Sequence, residues 1–391
     1  MDFALSEEQE RLRDAARELL AAECPMERVR KIAAEPSGHD AALWRAFAEA
    51  GWLGVLVPDA LGGAGLGLLD AAVLLHELGR AVAPGPFLAS SVAAVVALRE
   101  AGTRAQQERW LPALAAGEAI ATVALFEGLE ARPDGGALRD RAARRGGGFL
   151  LDGTRPFVPY GHLADLVLAA FRTARASAGA GYDGVSLFAV PGDAKGLKKE
   201  LLVSVDETRR ECELRLRGVQ LPREALLERR ERAAGAARAS GAGPLVARVL
   251  DACAVAIAAE SLGGAERALE RAVEYVKVRE QFGRPVGSFQ AVQHMAAEAA
   301  ARIEPARALV WYAAWAFDAR PKDAPLAAAM AKAACCDVYR AVARTAVEMH
   351  GGIGFTWEND MHFYLKRSLA NAAAFGDGDW HRERVAELSH F

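Results

Sequence analysis

The 391-residue chain lacks an excess of charge of either sign: 48 Lys and Arg stand against 51 Asp and Glu, for a formal net charge of −3. That balance excludes the strongly basic surface of a nucleic-acid-binding protein. The basic residues are scattered among acidic ones, so no basic arm and no amphipathic membrane-surface helix is expected. Cysteine is scarce: Cys24, Cys212, Cys253, Cys335 and Cys336 form an odd set without CxxC spacing, which argues against a disulfide framework and a thiolate metal site. They read as small buried apolar residues. His350 and His362 have no partners at metal-ligand spacing, so no metal is expected and both read as structural. No apolar run reaches transmembrane length, and Met1-Asp-Phe-Ala-Leu-Ser-Glu-Glu8 has neither the basic nor the apolar region of a signal peptide. The expectation is a cytoplasmic protein without a membrane partner.

A chain of this length can bury a large core and divide into two or three domains. Ser6-Glu-Glu-Gln9 reads as a capping box opening a helix with Leu5, Leu12, Leu19 and Leu20 on one face. Helical spacing returns over 43–50, 69–82 and 87–100, so residues 1–118 read as an all-helical domain. Glycine-rich 61–67 has no strand leading into it and no Lys after it, and reads as a connecting loop rather than a phosphate loop. From Ile120 the pattern changes to short apolar runs (120–126, 149–151, 165–171, 185–190, 212–216). In the last, Cys212, Leu214 and Leu216 alternate with Glu213, Arg215 and Arg217, as in a half-buried strand. Residues 119–230 therefore read as a small β-sandwich or barrel. Residues 229–243, rich in Ala, Gly and Arg, read as a solvated connection. Beyond it 231–391 reads as a helical bundle, with long helical patterns from Leu245 and over 291–317 and 326–349. The fold class is thus mainly α with a central β domain. Gly263-Gly264 inside the first long helix would cost about 1 kcal/mol each against Ala, so the close approach of another helix is expected there. Trp311, Tyr312 and Trp315 suit a packed helix face.

The long helix runs into Arg279-Glu-Gln281-Phe282-Gly283-Arg-Pro285-Val-Gly287-Ser-Phe289-Gln290. Tyr275 and Arg279, four apart, share a face. An arginine fork at a helix end can grip a phosphate, although a solvated arginine is the plainer reading because cations are favoured there anyway. The segment nevertheless resembles the signature of the acyl-CoA dehydrogenase family. That resemblance implies an FAD whose pyrophosphate and adenosine end is held by Arg279, Gln281, Phe282, Phe289 and Gln290, while its ring lies in a neighbouring subunit. A second signature resembling the family, from Glu348 through Met-His-Gly351-Gly352 to Arg367, implies that Gly351 and Gly352 let the backbone approach the same pyrophosphate. A plain glycine cap would explain them alone. Glu348 departs from the Gln that is common there.

The family's reaction needs a carboxylate to take an α proton from an acyl-CoA thioester and a held flavin to take a β hydride. In most members the carboxylate is a Glu shortly after the arginine matching Arg367, and here Gly376 stands in its place. Asp377, adjacent and one methylene shorter, is the candidate catalytic residue. The alternative family position, near 252–254, offers only Asp251 and Cys253, and Glu260 lies two turns further on. Phe126 stands where a flavin-bonding Thr is expected, and Pro159 where Thr or Ser is; proline has no N–H to offer. The losses fall on the ring side of the site and the matches on the nucleotide side.

Three readings follow. The chain is a base-deficient subunit of a heteromeric acyl-CoA dehydrogenase whose homologous partner supplies the Glu and the ring site. Alternatively it is a homotetrameric dehydrogenase using Asp377 or another carboxylate. Otherwise it is a scaffold binding neither flavin nor thioester. The first two carry an acyl-CoA substrate and an electron-transfer acceptor.

Overall fold

A computed structural model describes residues 5–128, 133, 138–174, 181–182, 184–227 and 243–389. The connection read over 229–243 lies, up to its last residue, outside them. Six α-helices come first: α1 (Glu7–Glu23), α2 (Met26–Ala34), α3 (Ala41–Glu49), α4 (Leu68–Arg80), α5 (Val95–Ala101) and α6 (Arg104–Ala115). Their starts follow local chemistry. Ser6 and Gln9 form the expected reciprocal cap, Thr103 and Gln106 form another, and the Asp40 carboxylate accepts from the N–H groups of Ala42 and Leu43. The single helix expected over 87–100 opens instead as a π-helical turn, Leu88–Ala94, before α5. Ser90 is buried in that turn, and its hydroxyl accepts from the N–H of Ala121, tying the turn to the first strand.

Seven strands follow among the described residues: β1 (Ala121–Ala124), β2 (Ala143–Arg145), β3 (Gly148–Pro159), β4 (Leu166–Arg172), β5 (Val185–Pro191), β6 (Leu197–Leu201) and β7 (Glu211–Leu221). They make a three-stranded sheet, β1-β4-β5 with β1 and β4 parallel, and a four-stranded antiparallel sheet, β2-β3-β7-β6. Phe149, Phe171, Phe188, Cys212 and Leu214 share a core drawn from both sheets, as in a small sandwich. Strand β3 is much longer than the three residues its apolar run suggests, and it carries two register irregularities against β7.

The bundle consists of α7 (Gly243–Val278), α8 (Gln290–Ala319), α9 (Ala324–His350) and α10 (Met361–Ala373), with α11 (Gly378–Leu388) packed on α9. A short hairpin, β8 (Glu280–Gln281) and β9 (Arg284–Pro285), links α7 to α8. The middle of α7 is buried all round, from Ala252 through Ala259, as expected of a helix through the centre of a molecule. All five cysteines are free and buried. No helix among the described residues is long and apolar enough to cross a membrane.

Glycine explains how closely α4 meets α7. A Cβ on Gly263 would lie 1.9 Å from the carbonyl oxygen of His76, and one on Gly79 would lie 2.0 Å from that of Glu260. The two backbones touch, and only glycine permits it. Gly264 lies instead against the ring of Tyr339. One turn away, His76 is buried with Nδ1 3.0 Å from Glu77 and Nε2 3.0 Å from Glu266. Arg17 reaches Glu77 at 2.9 Å and Arg307 reaches Glu266 at 2.8 Å. Burial disfavours the imidazolium, but the two carboxylates outweigh it and raise the His76 pKa above its ordinary 6.5. Burial likewise pushes Glu77 up, and His76 and Arg17 overcome it, holding its carboxyl at about 2.

The signs of these shifts differ. The contribution of His76 is complete below pH 6.5 and is lost as pH rises through its raised folded value. That of Glu77 is complete above pH 4.5 and is lost as pH falls toward 2. Replacing His76 with Leu should cost about 3–5 kcal/mol, because it leaves buried carboxylates short of a cation. Urea unfolding as a function of pH should also show a flatter alkaline limb for H76L. An unchanged limb above pH 6.5 would mean that His76 is neutral in the folded protein.

Candidate functional site

A cavity of about 750 Å³ lies where α4, the π turn, α7, α10 and the β domain meet. Its walls are mostly apolar, with Leu75, Phe87 and Ile257 on the helical side and Phe126, Phe157 and Pro159 on the β side. The three positions that depart from the family pattern on the ring side, Phe126, Pro159 and Gly376, all line this one cavity. Phe157, Tyr160 and Phe375, also in its wall, have φ of 53°, 50° and 55°. Left-handed backbone at bulky residues is strained and gathers at functional sites.

The polar end of the cavity is an ion cluster. Arg367 of α10 is buried; its Nε donates to Asp206 at 2.6 Å and its other nitrogens reach Glu260 of α7 and Thr208. Arg209 pairs with the same Glu260 and donates to Asn371 Oδ1 at 2.7 Å. Burial raises the Asp206 pKa, but Arg367 and Arg209 outweigh it and keep the carboxyl below its ordinary value. Glu260 is therefore committed to two guanidinium groups. Tyr160 is pinned nearby: its hydroxyl accepts from Gly85 N–H at 2.8 Å and donates to the Thr208 carbonyl at 3.2 Å. Burial pushes its pKa up to about 12.

Gly376 has φ of 94°, and a Cβ there would stand 2.8 Å from Trp380 and 2.9 Å from Pro133. The turn is held from below by Lys332, whose buried ammonium donates to the carbonyls of Ala372 and Gly376. His381 lies 3.1 Å from the Phe375 carbonyl through Nε2, and burial lowers its pKa to about 3, so its ring is neutral. Asp377 lines the cavity but is exposed, and its Oδ1 accepts from Trp380 N–H at 2.8 Å as the N-cap of α11. The candidate base thus caps a helix, a role that accounts for a carboxylate at this position without catalysis. Asp251 pairs with Arg384 at 2.7 Å, and Cys253 is buried in the core.

Sequence reading missed Glu211. It opens β7 directly opposite Pro159 in the ladder, and its carboxyl faces the cavity without a hydrogen-bond or ion-pair partner among the described residues. Burial, only partly offset by Arg209, raises its pKa. The apolar alternation begins at Cys212, so Glu211 carried no signal of its own; only the pairing with Pro159 reveals it.

The nucleotide-side residues gather elsewhere. Tyr275 near the end of α7 stacks on His350 at the end of α9, with centroids 4.6 Å apart and planes at 20°. That contact brings together two sequence signatures some seventy positions apart. Arg279 follows one turn after Tyr275, exposed and without an ion pair among the described residues. Phe282, at φ 57°, sits at the tip of the hairpin, 92% exposed, and Phe289 meets it edge-on at 6.1 Å. Gln281, Gln290 and Glu348 are exposed. Gly351 caps α9 with φ 64°, and nothing lies within 4 Å of a Cβ built on it or on Gly352. An uncommitted guanidinium, open backbone at two glycines and an exposed aromatic suit the pyrophosphate end of a dinucleotide. The cavity suits a flavin ring less well: Pro159 offers no N–H, and its carbonyl already accepts from Thr122 at 2.6 Å.

Residues 6–118 match the family described as acyl-CoA dehydrogenase, N-terminal domain, and residues 241–389 match acyl-CoA dehydrogenase, C-terminal domain. Acyl-CoA dehydrogenase IpdE2 of Mycobacterium tuberculosis is 32% identical over 374 residues, covering 94% of this chain and 92% of the relative. Acyl-CoA dehydrogenase FadE27 of the same organism is 30% identical, with 98% of each chain covered. Among solved structures, the ChsE4-ChsE5 complex from Mycobacterium tuberculosis matches with a TM-score of 0.87 at 28% identity, covering 100% of this chain and 99% of the other. A variant of the Tcur3481-Tcur3483 steroid ACAD matches with a TM-score of 0.84 at 32% identity and 98% coverage of both chains.

Replacing Gly376 with Ala should destabilise the protein by about 1–3 kcal/mol, from strained backbone and overpacking. Gly376→Glu should do at least as much and should not by itself confer turnover, since the side chain has no room to enter the cavity. Denaturant unfolding of G376A within experimental error of the parent would show that the turn is looser than described.

Proposed function

The chain belongs to the acyl-CoA dehydrogenase family and its cofactor is FAD, and from that premise we propose that it is a subunit of a heteromeric acyl-CoA dehydrogenase. In this reading it holds the nucleotide end of an FAD whose ring lies on a homologous partner, and the partner supplies the carboxylate base. The carrying observation is the division of the site. The residues fitted to a pyrophosphate stand open and uncommitted around Arg279 and Gly351, whereas at the position of the family base a Cβ would press on Trp380 and Pro133 from strained backbone. Similarity to the chains of the ChsE4-ChsE5 complex, named for two components, supports an assembly of unlike subunits. Exposed Phe282, Phe355 and Trp357 around the nucleotide side offer apolar surface for such a partner.

When bound, FAD supplies the hydride acceptor for α,β-dehydrogenation of an acyl-CoA thioester. The Arg279 guanidinium would neutralise phosphate charge, Phe282 and Phe289 would cover an aromatic face, and Gly351 and Gly352 would admit close backbone approach. Reoxidation falls to an electron-transfer acceptor.

Glu211 favours a second reading, a homo-oligomer that handles the α proton itself. A half-buried carboxylate without partners, in an apolar cavity and with a raised pKa, is what a general base at neutral pH requires. Asp377, exposed and engaged as a cap, meets those needs less well.

Purified alone, the chain should be colourless or bind substoichiometric FAD; co-expressed with a homologous chain encoded beside it, the complex should be yellow and oxidise acyl-CoA. Arg279→Ala in that complex should weaken FAD binding roughly tenfold or more, as loss of a charge-assisted contact does. Stoichiometric FAD together with turnover by the lone chain would overturn the heteromeric reading. In that event E211Q should abolish substrate bleaching of the flavin while D377N leaves it intact. A preparation colourless with every partner would favour a scaffold.

A further inference from the structure

A second cleft, of about 1260 Å³, opens between α6 and the sandwich and shares no lining residue with the first cavity. One wall carries Arg109 and Trp110. The opposite side carries Lys195, in the turn between β5 and β6, and Arg217 of β7; Arg223 follows β7. None of these four cations forms an ion pair with a described residue. Asp193 and Glu224 also line the cleft and likewise hold no ion pair. Four cations without ion pairs against two carboxylates leave the cleft net positive, in a protein whose overall charge is −3.

The walls are fixed rather than incidental. Gln106 is buried one turn before Trp110; its Nε2 donates to the Glu224 carbonyl at 2.8 Å and its Oε1 accepts from Thr103 N–H at 2.8 Å. That amide locks α6 to the segment bearing Arg223. Arg217 N–H donates to the Gly196 carbonyl at 2.9 Å, and a Cβ on Gly196 would lie 2.3 Å from the Arg217 carbonyl oxygen. Lys195 and Arg217 are therefore held side by side. The Arg109 guanidinium lies 4.8 Å from the Trp110 ring centroid, so a half-buried indole and a planar cation sit at the same wall.

We propose that this cleft binds a phosphorylated nucleotide, with the phosphates between Lys195, Arg217 and Arg223 and the base against Trp110. Several cations on a fixed frame match a di- or triphosphate better than a single carboxylate, and the flat aromatic wall selects a base over a bare polyphosphate. The site is independent of the heteromeric reading, since it uses none of the residues at either flavin region.

Calorimetric titration of the full chain with ADP and with tripolyphosphate, at low and moderate salt, tests the assignment. ADP should bind with an affinity that falls as salt rises, and R217E/R223E should weaken it by roughly tenfold or more. K195Q should weaken it less, and W110L should reduce ADP binding while sparing tripolyphosphate. Melting temperature and FAD content with the partner chain should stay at the parent's level in the two cation variants, whereas W110L, which trims a side chain packed against the core, is read by its ratio of ADP to tripolyphosphate binding; R217Q/R223Q serves if charge reversal impairs folding. Equal ADP binding by the parent and both double variants would overturn the proposal, as that binding would belong to the Arg279 region. So would an oligoglutamate peptide that binds as tightly as ADP, which would mark a docking face for an acidic protein segment.

Discussion

Arg367 is the point at which three parts of the chain are tied together. Its guanidinium comes from α10, Asp206 and Thr208 from the connection between β6 and β7, and Glu260 from the buried middle of α7; a longer contact at 3.4 Å reaches the Ala83 carbonyl of the N-terminal helices. Taking these charges out of water is costly, and the arrangement holds because nearly every donor and acceptor finds a partner. Desolvation opposes the guanidinium charge, but Asp206 and Glu260 overcome it and raise its pKa. The cavity exists where it does because this cluster fixes the distance between the sandwich and the bundle.

The cluster also limits what the cavity can do. Glu260 looks like a spare carboxylate on the long helix, yet two arginines hold it, and a carboxylate so paired is a poor proton acceptor. Glu211 is its opposite: within the electrostatic reach of Arg209, but bonded to neither arginine. Beneath the turn at Gly376, the Lys332 ammonium and the neutral His381 ring both engage backbone carbonyls, so the turn is braced in a shape that excludes a side chain.

Close helix packing supplies the rest of the frame. Backbone contact at Gly79 and Gly263 lets α4 and α7 approach until His76 bridges Glu77 and Glu266. The aromatic stack of Tyr275 on His350 does the same for the ends of α7 and α9. Interiors are packed densely enough that such contacts locate whole helices, and each places a candidate region: the cavity in one case, the cluster around Arg279 and Gly351 in the other.

Much of this was legible without coordinates because it is written locally. Capping at Ser6 and alternation along Cys212 to Leu216 are short contiguous patterns that local backbone chemistry suffices to read; the cluster from Arg279 to Gln290 and the glycine at 376 are legible through their resemblance to the family signatures. The glycine pair at 263 and 264 announced a close contact, although not with which residues. What the sequence could not disclose depends on contacts between distant segments. The register that sets Glu211 opposite Pro159, the convergence of Phe126, Pro159 and Gly376 on one cavity, and the capture of Glu260 by Arg209 and Arg367 leave no periodic trace. Spacing by itself determined the order of helical, β and helical parts, and the resemblance to the family signatures singled out the segments around Arg279, Gly351 and Gly376. Only tertiary packing decided which carboxylates are neutralised by arginine and that Glu211 stands half-buried in the cavity wall without an ion pair, because desolvation and ion pairing act through space and not along the chain.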